Sequence, residues 1–123
     1  MQRYYDTIAE FKREAFDIIV DKTYEDMHPR DCFDDTQFDI AEMCHNIEHG
    51  NLDWFMLRVR VMFDGHELAS EYLGACLYEN PKDVLTDGTA EDLIDTALEQ
   101  ARKEAALLRA RLIALDLEGL TGV

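Results

Sequence analysis

The 123-residue chain carries 27 Asp and Glu against 12 Lys and Arg, for a formal charge of −15, and 47% of its residues are apolar. That apolar fraction excludes disorder as the default, and the length accommodates one core, so a single domain over 1–123 is expected. The acid excess argues against direct binding to nucleic acid or an anionic membrane, which need Lys and Arg, and points to a basic protein surface as partner.

Residues 3–22 read as an amphipathic helix. Tyr4, Ile8, Phe11, Ala15 and Ile18 recur at spacings of four and three, with Ile19 beside them. Arg3, Glu10, Arg13, Glu14, Asp17 and Asp21 fill the remaining surface. The next segment, 23–36, is irregular: Pro29 disfavours helix at His28, while Asp31, Asp34 and Asp35 favour turns and caps. A second helix is expected from Asp35 or Thr36 to about His49, ended by Gly50-Asn51, with Ile40, Cys44 and Ile47 facing the core.

The most legible stretch is Leu52–Tyr78. Asp64-Gly65 divides two apolar runs, a strong hairpin signal. Phe55, Leu57, Val59, Val61 and Phe63 alternate with Trp54, Met56, Arg58, Arg60 and Met62, so the first set faces a core that helices must cover. A two-residue turn places Arg58 opposite Glu71, with which it would pair, and Met62 opposite Glu67. If no helix covers the outward face, Trp54, Met56 and Met62 form a contact patch.

Residues 79–83 read as a turn, Val84-Leu85 as a short helical turn, and Thr89 to Asp92 as a capping box. A helix follows to about Leu115, roughly 39 Å long. Its excess, Leu107–Leu117, is available to pack on a second copy, and the tail 118–123 is expected to fray. The expected class is α+β, in the order α-α-β-β-α, with an antiparallel hairpin covered by helices and a long C-terminal helix.

No sequence motif announces a reaction. GxSxG, GxGxxG, HExxH and CxxC are all absent. His45 and His49, four apart, could form a metal pair with Cys44, Cys32 or Glu48, but no second ligand motif accompanies them. The paired acids Glu25-Asp26, Asp34-Asp35 and Glu91-Asp92 fall in turns and helix starts, where solvated capping accounts for them. Neither metal nor cofactor is expected, and the chain reads as a non-enzyme. Met1 precedes polar Gln2-Arg3-Tyr4-Tyr5 with no apolar signal region, and the three Cys are odd in number, so a cytoplasmic protein with reduced thiols is expected.

The candidate partner-binding residues are Tyr24, Glu25, Asp26, Asp31, Phe33, Asp34, Asp35, Asp39 and Glu42. In the segment 25–42 a run of acids faces one base, Arg30, and Tyr24, Met27, Phe33 and Phe38 accompany them. Aromatics and Met are enriched in interface cores, and one-signed charge steers association. In small size, acidity and this acid–aromatic segment, the chain resembles phage- and plasmid-borne inhibitors of bacterial defence, the anti-CRISPR and anti-restriction proteins. The resemblance covers the whole chain and rests on no diagnostic residue. It implies stoichiometric binding to a nuclease or surveillance complex, by nucleic-acid mimicry or steric blocking. The alternatives are a homodimeric scaffold assembling through the C-terminal helix and a metal enzyme using His45 and His49.

Overall fold

Four antiparallel strands form a meander in the computed structural model, which describes residues 3–115. They are β1 (Asp6–Arg13), β2 (Phe16–Tyr24), β3 (Asp53–Phe63) and β4 (His66–Tyr78), neighbours in that order. A helix α1 (Ile40–Glu48) lies in the β2–β3 connection, and α2 (Thr89–Leu115) follows β4. The class is α+β, but the main order is β-β-β-β-α and not the expected α-α-β-β-α.

The error sits in residues 3–22, which are a β-hairpin. Phe16, Ile18 and Val20 are buried at the period of two that a strand imposes. A register shift between Thr7 and Ala9 leaves Ile8 as an extra residue in β1. Ile8, Ala9 and Phe11 all pack against the core, so the bulge puts a helix-like spacing of three onto one face of a strand. The turn is equally hard to read, because Glu14 takes a positive φ of 58° with no Gly or Asn to mark it.

The β3–β4 hairpin forms as its alternation requires. Asp64 and Gly65 both adopt positive φ, 50° and 78°, as a type I′ turn demands. Met62 lies opposite Glu67, but a register shift after it places Arg58 opposite Tyr72 and Val59 opposite Glu71. Arg58 therefore does not pair with Glu71; it reaches Asp21 on β2.

One helix covers one face. Ala90, Ile94, Ala97, Leu98 and Ala101 of α2 close over Phe16, Ile18, Val20, Phe55, Leu57, Val59 and Val61. The three alanines let the helix approach the sheet closely. Val84, in a 3₁₀ turn over Pro81–Leu85, is fully buried at the edge of this layer. Cys76 belongs to the same core, and burial pushes its thiol up to about 11, which leaves it protonated and unreactive.

Polar clamps fix the helix. Asp87 accepts from the Thr89 backbone N–H at 2.9 Å and from the Tyr78 hydroxyl, which holds its carboxyl below the usual range. The capping role thus falls to Asp87, and Thr89 is the first helical residue. Arg13 grips Glu91 through two bonds of 2.8 and 3.0 Å, and Arg102 grips Glu14. The start of the β1–β2 turn is thereby tied to α2 at two adjacent residues. No described helix is long and apolar enough to cross a membrane.

Candidate interaction surface

The segment 25–52 leaves the sheet after β2 and returns as β3. Its first turn follows from Pro29, which opens a 3₁₀ turn over Pro29–Asp31, with the His28 ring accepting from the Arg30 N–H. Asp34 then caps its own turn by accepting from the Thr36 N–H and hydroxyl, at 2.9 and 2.8 Å, and these bonds hold its carboxyl below the usual range. Asp39 caps α1 by accepting from the Glu42 N–H at 3.1 Å. The helix ends at His49, with Gly50 at φ 76°.

None of the residues of α1 is buried. The expectation that Ile40, Cys44 and Ile47 face the core is therefore wrong. The helix is nine residues long and starts later than Asp35 or Thr36, because residues 34–38 are spent on the Asp34 turn. With α2 already closing the core, this lobe adds little to it. It is anchored by aromatic packing instead: Phe33 sits 5.2 Å from Phe38 and 5.9 Å from Trp54, whose indole N–H donates to the Met27 carbonyl at 2.8 Å. That packing half-buries Trp54 and occupies part of the patch expected on the outward strand face.

The structure divides the nine candidate residues. Glu25 is a latch: its carboxylate accepts from Ala75 N–H at 2.8 Å and from Met27 N–H at 3.2 Å, over the Gly74 backbone. Asp26 is paired to Arg3 at 2.6 Å, and the Arg3 guanidinium stacks 4.6 Å from the Tyr24 ring. Phe33 is the half-buried anchor just described. Asp31, Asp35 and Glu42 are exposed and enter no ion pair among the described residues, while Asp34 and Asp39 are exposed but partly engaged as caps. Exposed Tyr24, Met27 and Phe38 stand among them. The free acids thus share the 25–52 lobe with Met27 and Phe38, while Tyr24 closes β2 beside it.

Ala75 explains why the sequence did not reveal the Glu25 latch. It holds a positive φ of 58° in a bulge of β4, and only the fold brings Glu25, fifty positions away, onto its N–H. Replacing Ala75 with Gly should relieve the left-handed strain and stabilise the protein by about 0.5–1 kcal/mol. Urea unfolding measures this; a loss of stability would mean that the Ala75 methyl group matters more than its backbone.

The His45 and His49 rings stack at 4.0 Å, and His49 Nδ1 is taken up by the His45 carbonyl at 2.8 Å. Cys44 lies 3.8 Å from His28 Nε2, away from that pair. No group of three potential ligands is brought together among the described residues.

Sequence reasoning missed one polar cluster. Asp21, 1% exposed, faces away from α2; it accepts from Arg58 Nε at 3.0 Å and from the Thr7 hydroxyl at 3.2 Å, and it is ion-paired to Arg60 at 3.1 Å. Arg58 also stacks 3.5 Å from the Tyr5 ring. The signal was the outward pair Arg58 and Arg60; its partner lay in what read as a helix. No protein-family model matches the chain, and neither a curated protein nor a solved structure matches it.

Proposed function

We propose that this protein is a stoichiometric inhibitor that works by binding, its acidic lobe occupying a Lys/Arg surface on which a bacterial defence nuclease or CRISPR surveillance complex otherwise holds nucleic acid. The observation that carries the reading is the grouping of unpaired Asp31, Asp35 and Glu42 with exposed Met27 and Phe38 on a lobe without a core role, next to exposed Tyr24 at the end of β2. A net charge of −15 supports it, since a one-signed field speeds encounter with a basic surface and repels nucleic acid itself. The partner set narrows to Asp31, Asp34, Asp35, Asp39 and Glu42 with Tyr24, Met27 and Phe38, while Glu25 and Phe33 support them from beneath. Asp26 is spent on Arg3.

The test is competition for a labelled nucleic acid on such a nuclease. Displacement should weaken as salt rises, and the triple variant Asp31→Asn, Asp35→Asn, Glu42→Gln should lose roughly tenfold or more in potency at low salt. Neutralising Asp95 and Glu99 on the outer face of α2 should change little. Displacement indifferent to salt and to the triple variant would remove charge mimicry.

A further inference from the structure

At the end of the sheet where β1 and β3 begin and β2 ends lies a pocket of about 280 Å³. Tyr4, Asp6, Lys22, Tyr24, Asp53 and Phe55 line it. The strand register brings them together. Asp6 lies opposite Lys22, Lys22 opposite Leu57 and Tyr24 opposite Phe55, so these side chains share the sheet face that carries the core. Asp53, two residues before Phe55, alternates onto the same face. The helix α2 packs over β3 and β4 and does not line the pocket. Phe55 is buried, whereas Tyr4 and Tyr24 are 77% and 54% exposed. The Thr23 hydroxyl donates to the Tyr4 carbonyl and fixes the chain there.

The chemistry of this lining selects a cation. It sets two carboxylates, Asp6 and Asp53, against one ammonium, Lys22. Lys22 is spent on Asp53, and its Nζ lies 5.8 Å from the centre of the Phe55 ring. Asp6, the neighbour of Lys22 across the ladder, enters no ion pair among the described residues. Arg3 repeats the pattern: it stacks 4.6 Å from the centre of the Tyr24 ring while pairing with Asp26. Twice, then, this end of the sheet holds one of the chain's own cations against an aromatic ring and a carboxylate. Asp6 and the exposed Tyr4 offer the same arrangement, and no cation of the described residues stacks on Tyr4.

We propose that this pocket receives one arginine side chain of a basic protein partner, its guanidinium pairing with Asp6 and stacking on Tyr4. A guanidinium suits both groups, because its planar fork matches a carboxylate and its face stacks on a ring. That the arginine belongs to the inhibited nuclease rests on the inhibitor reading; that the pocket takes a cation does not. Tyr24 lines the pocket and closes β2 beside the 25–52 lobe, so an arginine seated here adjoins the surface that the lobe presents. It gives a diffuse, charge-steered encounter one anchored contact of the kind that dominates interface energetics.

An NMR titration of the full chain with Nα-acetyl-arginine methylamide tests this, against the neutral isostere Nα-acetyl-citrulline methylamide. The amide signals of Asp6, Lys22 and Tyr24 should shift with the arginine compound, less so as salt rises, and stay in place with the citrulline one. Asp6→Asn should weaken binding roughly tenfold, the scale of a lost hydrogen bond to a charged group. Its side chain is exposed, so the fold should be retained, and unchanged signals elsewhere in the spectrum would show it. Neutralising Asp95 and Glu99 on α2, which removes two charges far from the pocket, should leave binding unchanged. The probe involves no nuclease, so its failure leaves the displacement test of the inhibitor reading intact. Signals that do not move up to the solubility limit of the probe would overturn the proposal. So would equal shifts with citrulline, or binding by Asp6→Asn as tight as by the wild type.

Discussion

Asp21→Asn is expected to destabilise the protein by about 3 kcal/mol, the lower end of the range for breaking a buried ion pair. The carboxylate is 1% exposed and serves Arg58, Arg60 and Thr7 at once. An amide keeps the volume and the Thr7 bond but cannot neutralise two guanidiniums, which are themselves only 14% and 25% exposed. The Arg60 Nε is already buried without a partner, so the cluster has no spare acceptor. The lower end is appropriate because both arginines retain some access to water, which screens the orphaned charge. Urea unfolding with an unchanged m-value measures the loss. The companion variant Asp21→Asn, Arg58→Met, Arg60→Met should recover much of it, because apolar replacement of a whole buried ionic group is often neutral or stabilising. A single variant as stable as the wild type would mean that the cluster is better solvated than its geometry indicates.

Ile94→Ala should cost between about 2 and 5 kcal/mol, the range for truncating a fully buried aliphatic side chain. Ile94 lies at the centre of the α2 stripe, 1% exposed, where the helix meets the sheet. A helix holding close contact through Ala97 and Ala101 cannot collapse onto the cavity without moving off the strands, so the cost should not fall to the lower limit. At roughly 4 °C per kcal/mol for a domain of this size, Tm should drop by more than about 8 °C. Ile40→Ala, on α1, is the control. That helix buries no residue, so the loss there should stay below about 1 kcal/mol. Comparable losses at the two positions would mean that the 25–52 lobe is part of the core after all.

This contrast is also where sequence and structure part. From periodicity alone, residues 3–22 and 36–49 looked like two equivalent core-covering helices. The first is a hairpin whose hydrogen bonds are satisfied by β3, across the whole 25–52 connection, and a bulge at Ile8 disguises its period. The second is a helix in a lobe outside the core, because a single long helix already covers the sheet face that carries the core. Neither outcome is written locally. Chain patterns report which side chains are apolar along an element, but not whether another element will arrive to cover them.

The acid–aromatic segment shows the same division. Its composition and the turns at Pro29 and Asp34 were readable, since short polar side chains bond to backbone groups two or three residues away, but the cap of α1 is Asp39 and not the expected Asp35 or Thr36. The loss of Glu25 and Asp26 from the candidate surface was not readable, because their partners are Ala75 and Arg3.

By itself, then, the sequence determined what depends on near neighbours and on totals: the Asp64-Gly65 hairpin, the long C-terminal helix with an apolar stripe, and a charge of −15. Tertiary structure alone decided which strand pairs with which, that Arg58 belongs to Asp21, which acids stay free, and that the helix outruns its sheet. Those depend on contacts distant in the chain, where burial and hydrogen bonding are settled between elements and leave no local period or motif.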